Sequence, residues 1–242
     1  MTNDERTKFL FIDIETVPPN EIEDFVVEKD PPKNIKDPLK IANWYLEAKT
    51  ELFRKQSVDT NAAKILTIGA AFNDASPTVM VDSNCYDEQK VMKDFEEFFF
   101  DNIEYKKEIN GRISDKTFDP IFIGVGVKRF DLQIMFLKSL RYDLKYLAPY
   151  LEAGRQRYSK TSIDLESFWS GSIMGGDSYV SMVKMMRVLG LNDVDGAEDF
   201  DGSMVYDAFK AGEIDKIVKY NAEDVIRTRD IFNKIKHSLG YD

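Results

Sequence analysis

Asp13 and Glu15 interrupt an otherwise apolar run, Phe9-Leu10-Phe11-Ile12-Asp13-Ile14-Glu15-Thr16, which reads as a buried strand. Alternate residues of a strand share a face, so both carboxylates leave it on the same side. Like charges at that spacing repel, and burial beside Phe11 and Ile12 raises the cost. The competing reading is an acid pair at the solvated end of the strand, which Pro18-Pro19 close behind would allow. Tyr220 and Asp224 stand four apart in a segment of helical periodicity, one turn apart on one face. A surface Tyr–Asp pair is the plain alternative there. Asp131 follows Gly124, Gly126 and Lys128-Arg129 at a strand-to-helix junction. By itself it needs no more than a structural role, because an acid in the first turn of a helix meets free backbone N–H groups and the positive end of the dipole.

The combination says more than its members. A strand supplying two carboxylates and two helices supplying one each can converge on a compact acidic pocket. Such a pocket cannot stay fully ionised without cations, and hard oxygen ligands select Mg²⁺ or Mn²⁺. Two such ions, roughly 3.5–4 Å apart, would clamp a phosphodiester and stabilise its attacking and leaving oxygens. Residue supply closes off the main rivals. His237 is the only histidine and lies on a polar helix near the C-terminus, which nearly removes Ser-His-Asp hydrolysis and His-ligated zinc. Cys85 is the only cysteine, so no intrachain disulfide or zinc ribbon can form.

The elements that must hold these residues follow from periodicity. Lys64–Phe72 and Thr78–Val81 read as strands joined by a turn at Asn73-Asp74, Pro120–Val127 as a fourth strand and Ser162–Leu165 as a short fifth. Helices are expected from about Pro38 to Gln56, Asp87 to Ile103, Phe130 to Arg141, Ser178 to Leu189, Ser203 to Lys210 and Glu213 to Ser238. Phe98-Phe99-Phe100 belongs in the core. Strands early and helices late predict one α/β domain over residues 1–242 with a mixed sheet. The stretch 17–61, with Pro18-Pro19 and Pro31-Pro32, could flank a substrate channel or cover a sheet edge.

An aromatic content of 12% indicates a folded chain rather than a disordered one. With 33 basic and 43 acidic side chains, the formal charge of -10 argues against a protein that coats nucleic acid. It is compatible with an enzyme that grips a few nucleotides. The basic clusters Lys128-Arg129, Lys138-Arg141-Lys145 and Arg155-Arg157-Lys160 read first as solvated faces. The polar start Thr2–Arg6 is no signal peptide and no apolar run approaches membrane-spanning length, so a reducing cytoplasm is the expected location.

Three segments, in order, resemble the motifs of the DEDD family of 3′–5′ exonucleases, in the branch related to the proofreading domain of family-B DNA polymerases. Phe11-Ile12-Asp13-Ile14-Glu15-Thr16 is similar to the first motif, aspartate–x–glutamate on the central strand. Gly126-Val127-Lys128-Arg129-Phe130-Asp131-Leu132 is similar to the second, and Tyr220-Asn221-Ala222-Glu223-Asp224 to the third. Asp201-Gly202-Ser203-Met204-Val205 resembles a segment that precedes the third motif. The resemblance runs from about residue 8 to 236 and is thinnest over 17–61. A His five residues before Asp224 would mark the histidine branch; that position is Lys219, and Tyr220 marks the tyrosine branch, DEDDy. Gly126 stands where the second motif usually carries an Asn that contacts the substrate strand, and Gln133 where close relatives often carry a proline.

The resemblance implies an RNase H-like fold, with a central mixed five-stranded sheet flanked by helices, and hydrolysis of a 3′-terminal nucleotide to a mononucleotide. It implies that Asp13 bridges two ions, Mg²⁺ or Mn²⁺, while Glu15 and Asp224 hold the one that binds the attacking water. Asp131 would help to hold the second, and Tyr220 would orient the water. The expected substrate is the 3′ end of a single strand, DNA in preference to RNA, held by aromatic stacking and a few basic contacts. Lys128 and Arg129 are the nearest basic residues, and a purely solvated role suits them equally. Replication or repair proteins are the partners it suggests. Trimming of RNA ends, or a non-catalytic module that keeps the fold and binds nucleic acid or a replication partner, are the alternatives.

Overall fold

The computed structural model describes residues 8–19, 29–82, 87–109, 112–171, 180–191 and 200–241. Cys85 and the first residues of the helix expected from Ser178 lie outside them. In chain order the elements are β1 (Phe9–Val17), α1 (Pro38–Lys55), β2 (Lys64–Phe72), β3 (Thr78–Val81), α2 (Glu88–Ile103), β4 (Glu104–Ile109), β5 (Arg112–Thr117) and β6 (Ile121–Gly124). Then follow α3 (Asp131–Arg141), α4 (Ala148–Arg155), β7 (Ser162–Asp164), α5 (Leu165–Ser170), α6 (Met182–Leu189), α7 (Val205–Ala211) and α8 (Ile214–Ile235).

The five expected strands form one sheet in the order β3-β2-β1-β6-β7. The first three are antiparallel neighbours, whereas β1, β6 and β7 run parallel, so the sheet is mixed and β1 is central. Helices cover both faces, which is why β1 and β2 are apolar on both sides rather than alternating. Leu10, Ile12 and Ile14 join the cluster built on Val91, Phe95 and Phe99 of α2 and on Leu132 and Met135 of α3. Phe98 and Phe100 pack against the same cluster, so the three-phenylalanine run is core. This is the α/β architecture expected from the sequence, a mixed five-stranded sheet flanked by helices.

The other face of β1 is divided along its length. Phe11 packs with Val225, Ile231 and Phe232 of α8, and Val17 packs with Val205, Ala208 and Ile217 in a separate cluster. Asp13 and Glu15 occupy the interval between those two apolar clusters. The acids are therefore not at a frayed end; they sit where β1 is paired on the β2 side throughout.

Four elements were not expected. The β4–β5 hairpin is rich in charge, with Lys106, Lys107, Glu108, Asp115 and Lys116, and its alternation carries no hydrophobic signal. α4 and α5 are too short for a helical period to stand out. β6 also ends at Gly124 rather than continuing to Val127. A Cβ at Gly124 would lie 2.8 Å from Val127 and 3.0 Å from the Ile12 carbonyl, so the chain turns tightly against β1 there. No helix among the described residues is long and apolar enough to cross a membrane.

One buried ion pair ties the sheet to two helices. Glu88 Oε1 accepts from the Ile65 N–H at 2.7 Å and meets Lys138 Nζ at 2.9 Å, and the Tyr142 hydroxyl donates to Oε2. Glu88→Ala would strand Lys138, which is 5% exposed, so it is expected to destabilise the fold by about 3–5 kcal/mol. Adding Lys138→Met should recover most of that loss. Urea midpoints of the two variants check both statements.

Candidate active site

β1 and α8 build the site between them. β1 presents Asp13 and Glu15 on its α8-facing side, and α8 brings Tyr220, Asn221, Asp224 and Arg227 across the strand. Ligand oxygens of Asp13, Glu15 and Asp224 all lie within 4.8 Å of one another. The Tyr220 hydroxyl bonds to the Asp224 carboxylate, and its ring packs edge-on against Phe200 at 5.1 Å. These residues line a cleft of about 460 Å³, closed on its far side by Ser181–Val183 at the start of α6 and by Phe200–Ser203.

Electrostatics follow from the crowding. Burial, then repulsion from Asp224, Glu15 and Asp131, holds the Asp13 carboxyl well above the usual range. Burial, then Asp224 and Asp131, does the same to Glu15. Asp224 is raised by burial, but Arg227 and Tyr220 oppose the shift through hydrogen bonds to it. Burial and the neighbouring carboxylates push the Tyr220 hydroxyl far up, so it is a donor at neutral pH. Three oxygen ligands this close, each penalised for its charge, are what a hard divalent cation relieves.

Residues 60–241 match a family model described as a predicted 3′–5′ exonuclease related to the exonuclease domain of PolB. The chain belongs to this family. No curated protein sequence matches it. The matched region holds Asp131, Tyr220 and Asp224 but starts after β1, so Asp13 and Glu15 lie outside it. Tertiary structure, through the packing of α8 on β1, sets those two acids beside Asp224 of the matched region in this exonuclease.

Asp131 stands apart from the tight trio. It opens α3, and Oδ1 reaches across to accept from the Ile14 N–H at 3.2 Å. β6 pairs with β1 only as far as Phe11, so Asp131 occupies the strand edge that β6 vacates. Burial pushes its carboxyl up to about 7, with the Asp164 charge adding to the rise and the N–H groups of Asp131 and Ile14 opposing it.

The loop that leads into Asp131 is held by Asp164 at the end of β7. Its carboxylate accepts from the N–H groups of Gly126 and Lys128 at 3.0 and 3.3 Å, and from Glu166 and Ser167 at 3.1 and 3.3 Å. That is a structural role. Gly126 has φ +72, the left-handed region that Gly and Asn enter most readily. Gly in place of the motif's usual Asn therefore keeps the turn and removes only the side chain. Arg129 pairs with Glu166 at 3.0 Å, and burial lowers the Lys128 ammonium. Gln133, the other departure, accepts from Arg155 at 2.9 Å and links α3 to α4.

Sequence reasoning missed several contributors. Arg227 is buried and bonded to Asp224, so it holds that carboxylate from behind. Asn221 donates to Asp13 and is fully buried. Gly69 faces Asp13 across the β1–β2 ladder, and a Cβ there would lie 2.8 Å from Asn221 Oδ1 and 2.9 Å from Val225. A glycine inside an apolar strand was the available signal, because it marks close approach by another element. Gly69→Ala should cost about 1–3 kcal/mol by overpacking and also lower exonuclease activity by displacing α8 from Asp13. Unfolding midpoints and rates measured on the same preparation check the pairing of effects.

Proposed function

We propose that this exonuclease removes the 3′-terminal nucleotide of single-stranded DNA by a two-metal-ion mechanism, as one domain of the tyrosine branch, with residues 17–61 as an insertion. The observation that carries the reading is the convergence of Asp13, Glu15 and Asp224 oxygens within 4.8 Å in a cleft. All-oxygen donors of this charge fit Mg²⁺ or Mn²⁺. Asp13 would be shared by both ions, with Glu15 and Asp224 completing one site. Asp131, already bonded to Ile14, would serve the second ion directly or through water. When bound, such ions neutralise the carboxylates, stabilise charge on the attacking and leaving oxygens and acidify an attacking water.

The chain's own groups supply position. Tyr220, kept protonated and donating to Asp224, offers its hydroxyl oxygen as an acceptor and so orients a water rather than removing its proton. Arg227 opposes the rise in the Asp224 carboxyl and fixes it through a hydrogen bond. Lys128 and Arg129, on the loop before Asp131, are the residues we assign to the substrate strand, with Arg129 oriented by Glu166. Only a few terminal nucleotides need enter the cleft, which reconciles the activity with a net charge of -10. A cytoplasmic enzyme acting beside replication or repair proteins is consistent with this chemistry.

The test is digestion of 5′-labelled single-stranded DNA, duplex DNA and RNA with Mg²⁺ or Mn²⁺. A ladder shortening from the 3′ end, fastest on single-stranded DNA, is the expected result. Preferential loss of RNA would transfer the activity to RNA ends, and intact substrates throughout would refute the proposal.

A further inference from the structure

The structure assigns Asn221 as a positioning residue for Asp13: its side-chain amide fixes the carboxylate in the orientation that receives a divalent cation. The inference rests on the reading of Asp13, Glu15 and Asp224 as cation ligands. Asn221 Nδ2 donates to Asp13 Oδ2 at 2.7 Å and to the Asp13 carbonyl oxygen at 3.1 Å. Both N–H bonds of one amide are thus spent on a single residue, one on its backbone and one on its side chain. That pins the carboxylate relative to its own main chain and leaves Asp13 Oδ1 free of Asn221.

The orientation of the amide is dictated by Asp13. Turned over, the amide would set its oxygen against two acceptors, so the donor must face them. The consequence is that Asn221 Oδ1, in a fully buried residue, has no hydrogen-bond partner among the described residues. Buried polar atoms are ordinarily satisfied, and exceptions gather where function demands them. A residue selected for packing alone would be apolar here, since Leu matches the shape of Asn without the orphaned oxygen.

Gly69 supplies the second, independent observation. It is the residue paired with Asp13 across the ladder, and a Cβ at that position would lie 3.0 Å from Asn221 Cγ. Two distant positions are therefore matched so that an amide fits over Asp13. Groups that orient a metal ligand without touching the metal typically change metal affinity about 10–100-fold when lost.

Thermal melts of the full chain across a Mg²⁺ series, repeated with Mn²⁺, test the assignment. In Asn221→Leu and Asn221→Ala the cation concentration giving half the maximal rise in melting temperature should increase about tenfold or more. A positioning role also predicts that excess cation restores much of the exonuclease rate lost in these variants. A packing role would instead lower the cation-free melting temperature and leave the half-effect concentration alone. Unchanged half-effect concentrations in both variants overturn the assignment. Asp13→Asn separates the two levels of inference, because it should abolish the cation-dependent rise. If the rise survives in Asp13→Asn, the cation reading of the whole site fails, not only the part given to Asn221.

Discussion

Asp13→Ala is expected to reduce release of 3′-terminal nucleotides about a thousandfold or more, without weakening the fold in the absence of cation. The first half follows from where Asp13 stands. Its ligand oxygen lies within 4.8 Å of those of Glu15 and Asp224, and in the proposed mechanism it serves both ions, so its loss removes a ligand from each. Metal stabilisation of a phosphodiester transition state is worth several kcal/mol, and each 1.36 kcal/mol is about tenfold in rate. The second half follows from repulsion. Asp13 is desolvated and crowded by Asp224, Glu15 and Asp131, all of which raise its carboxyl. Removing such a charge relieves the cation-free protein, an effect that a cavity left by Ala partly offsets and that Asp13→Asn should show more cleanly. Rates from the single-stranded DNA assay, with melting temperatures in EDTA, measure both halves. Activity near that of the unsubstituted protein would sink the proposed mechanism.

The second large effect is a cation dependence of stability that grows with pH. Asp13, Glu15, Asp224 and Asp131 all have carboxyls raised in the fold. A raised group favours the folded state fully below its unfolded value, near 4 for carboxylates, and that contribution is lost as pH climbs through the folded value. For Asp131 the window closes at about 7; for Asp13 and Glu15 it begins at the same place and extends well upward. Cation-free protein should therefore lose stability steadily from about pH 5 to pH 8. Mg²⁺ or Mn²⁺ competes with those protons, so its stabilising effect should be small at pH 5 and large at pH 8. At a hundredfold excess over the dissociation constant it is worth about 2.7 kcal/mol, or roughly 5–10 °C for a chain of this size. Melts with cation and with EDTA at the two pH values decide it. A rise equal at both would show that the cation binds elsewhere.

What could be read in advance was local. Asp13 and Glu15 at period two, and Tyr220 and Asp224 at four, need only the geometry of their own elements. Asp131 was legible as a first-turn helix acid, and the structure keeps that role. Its bond to the Ile14 N–H was not legible, because it depends on β6 leaving β1 after Ile123. The early end of β6 escaped for a related reason. Val125-Gly126-Val127 has strand-like composition, but the left-handed Gly126 and the Asp164 carboxylate of another strand turn the chain away.

The sequence by itself determined the types of chemistry open to this protein: carboxylates in abundance, one histidine and one cysteine. It also determined the helices and strands that carry the site, since periodicity is written into neighbouring residues. Tertiary structure alone decided that the acids are a site. Burial between two apolar clusters, the crossing of α8 over β1 and the glycine that permits it are properties of residues far apart in the chain. Their carboxylates repel, so no local preference brings them together; the packing of α8 onto the sheet supplies the free energy that does.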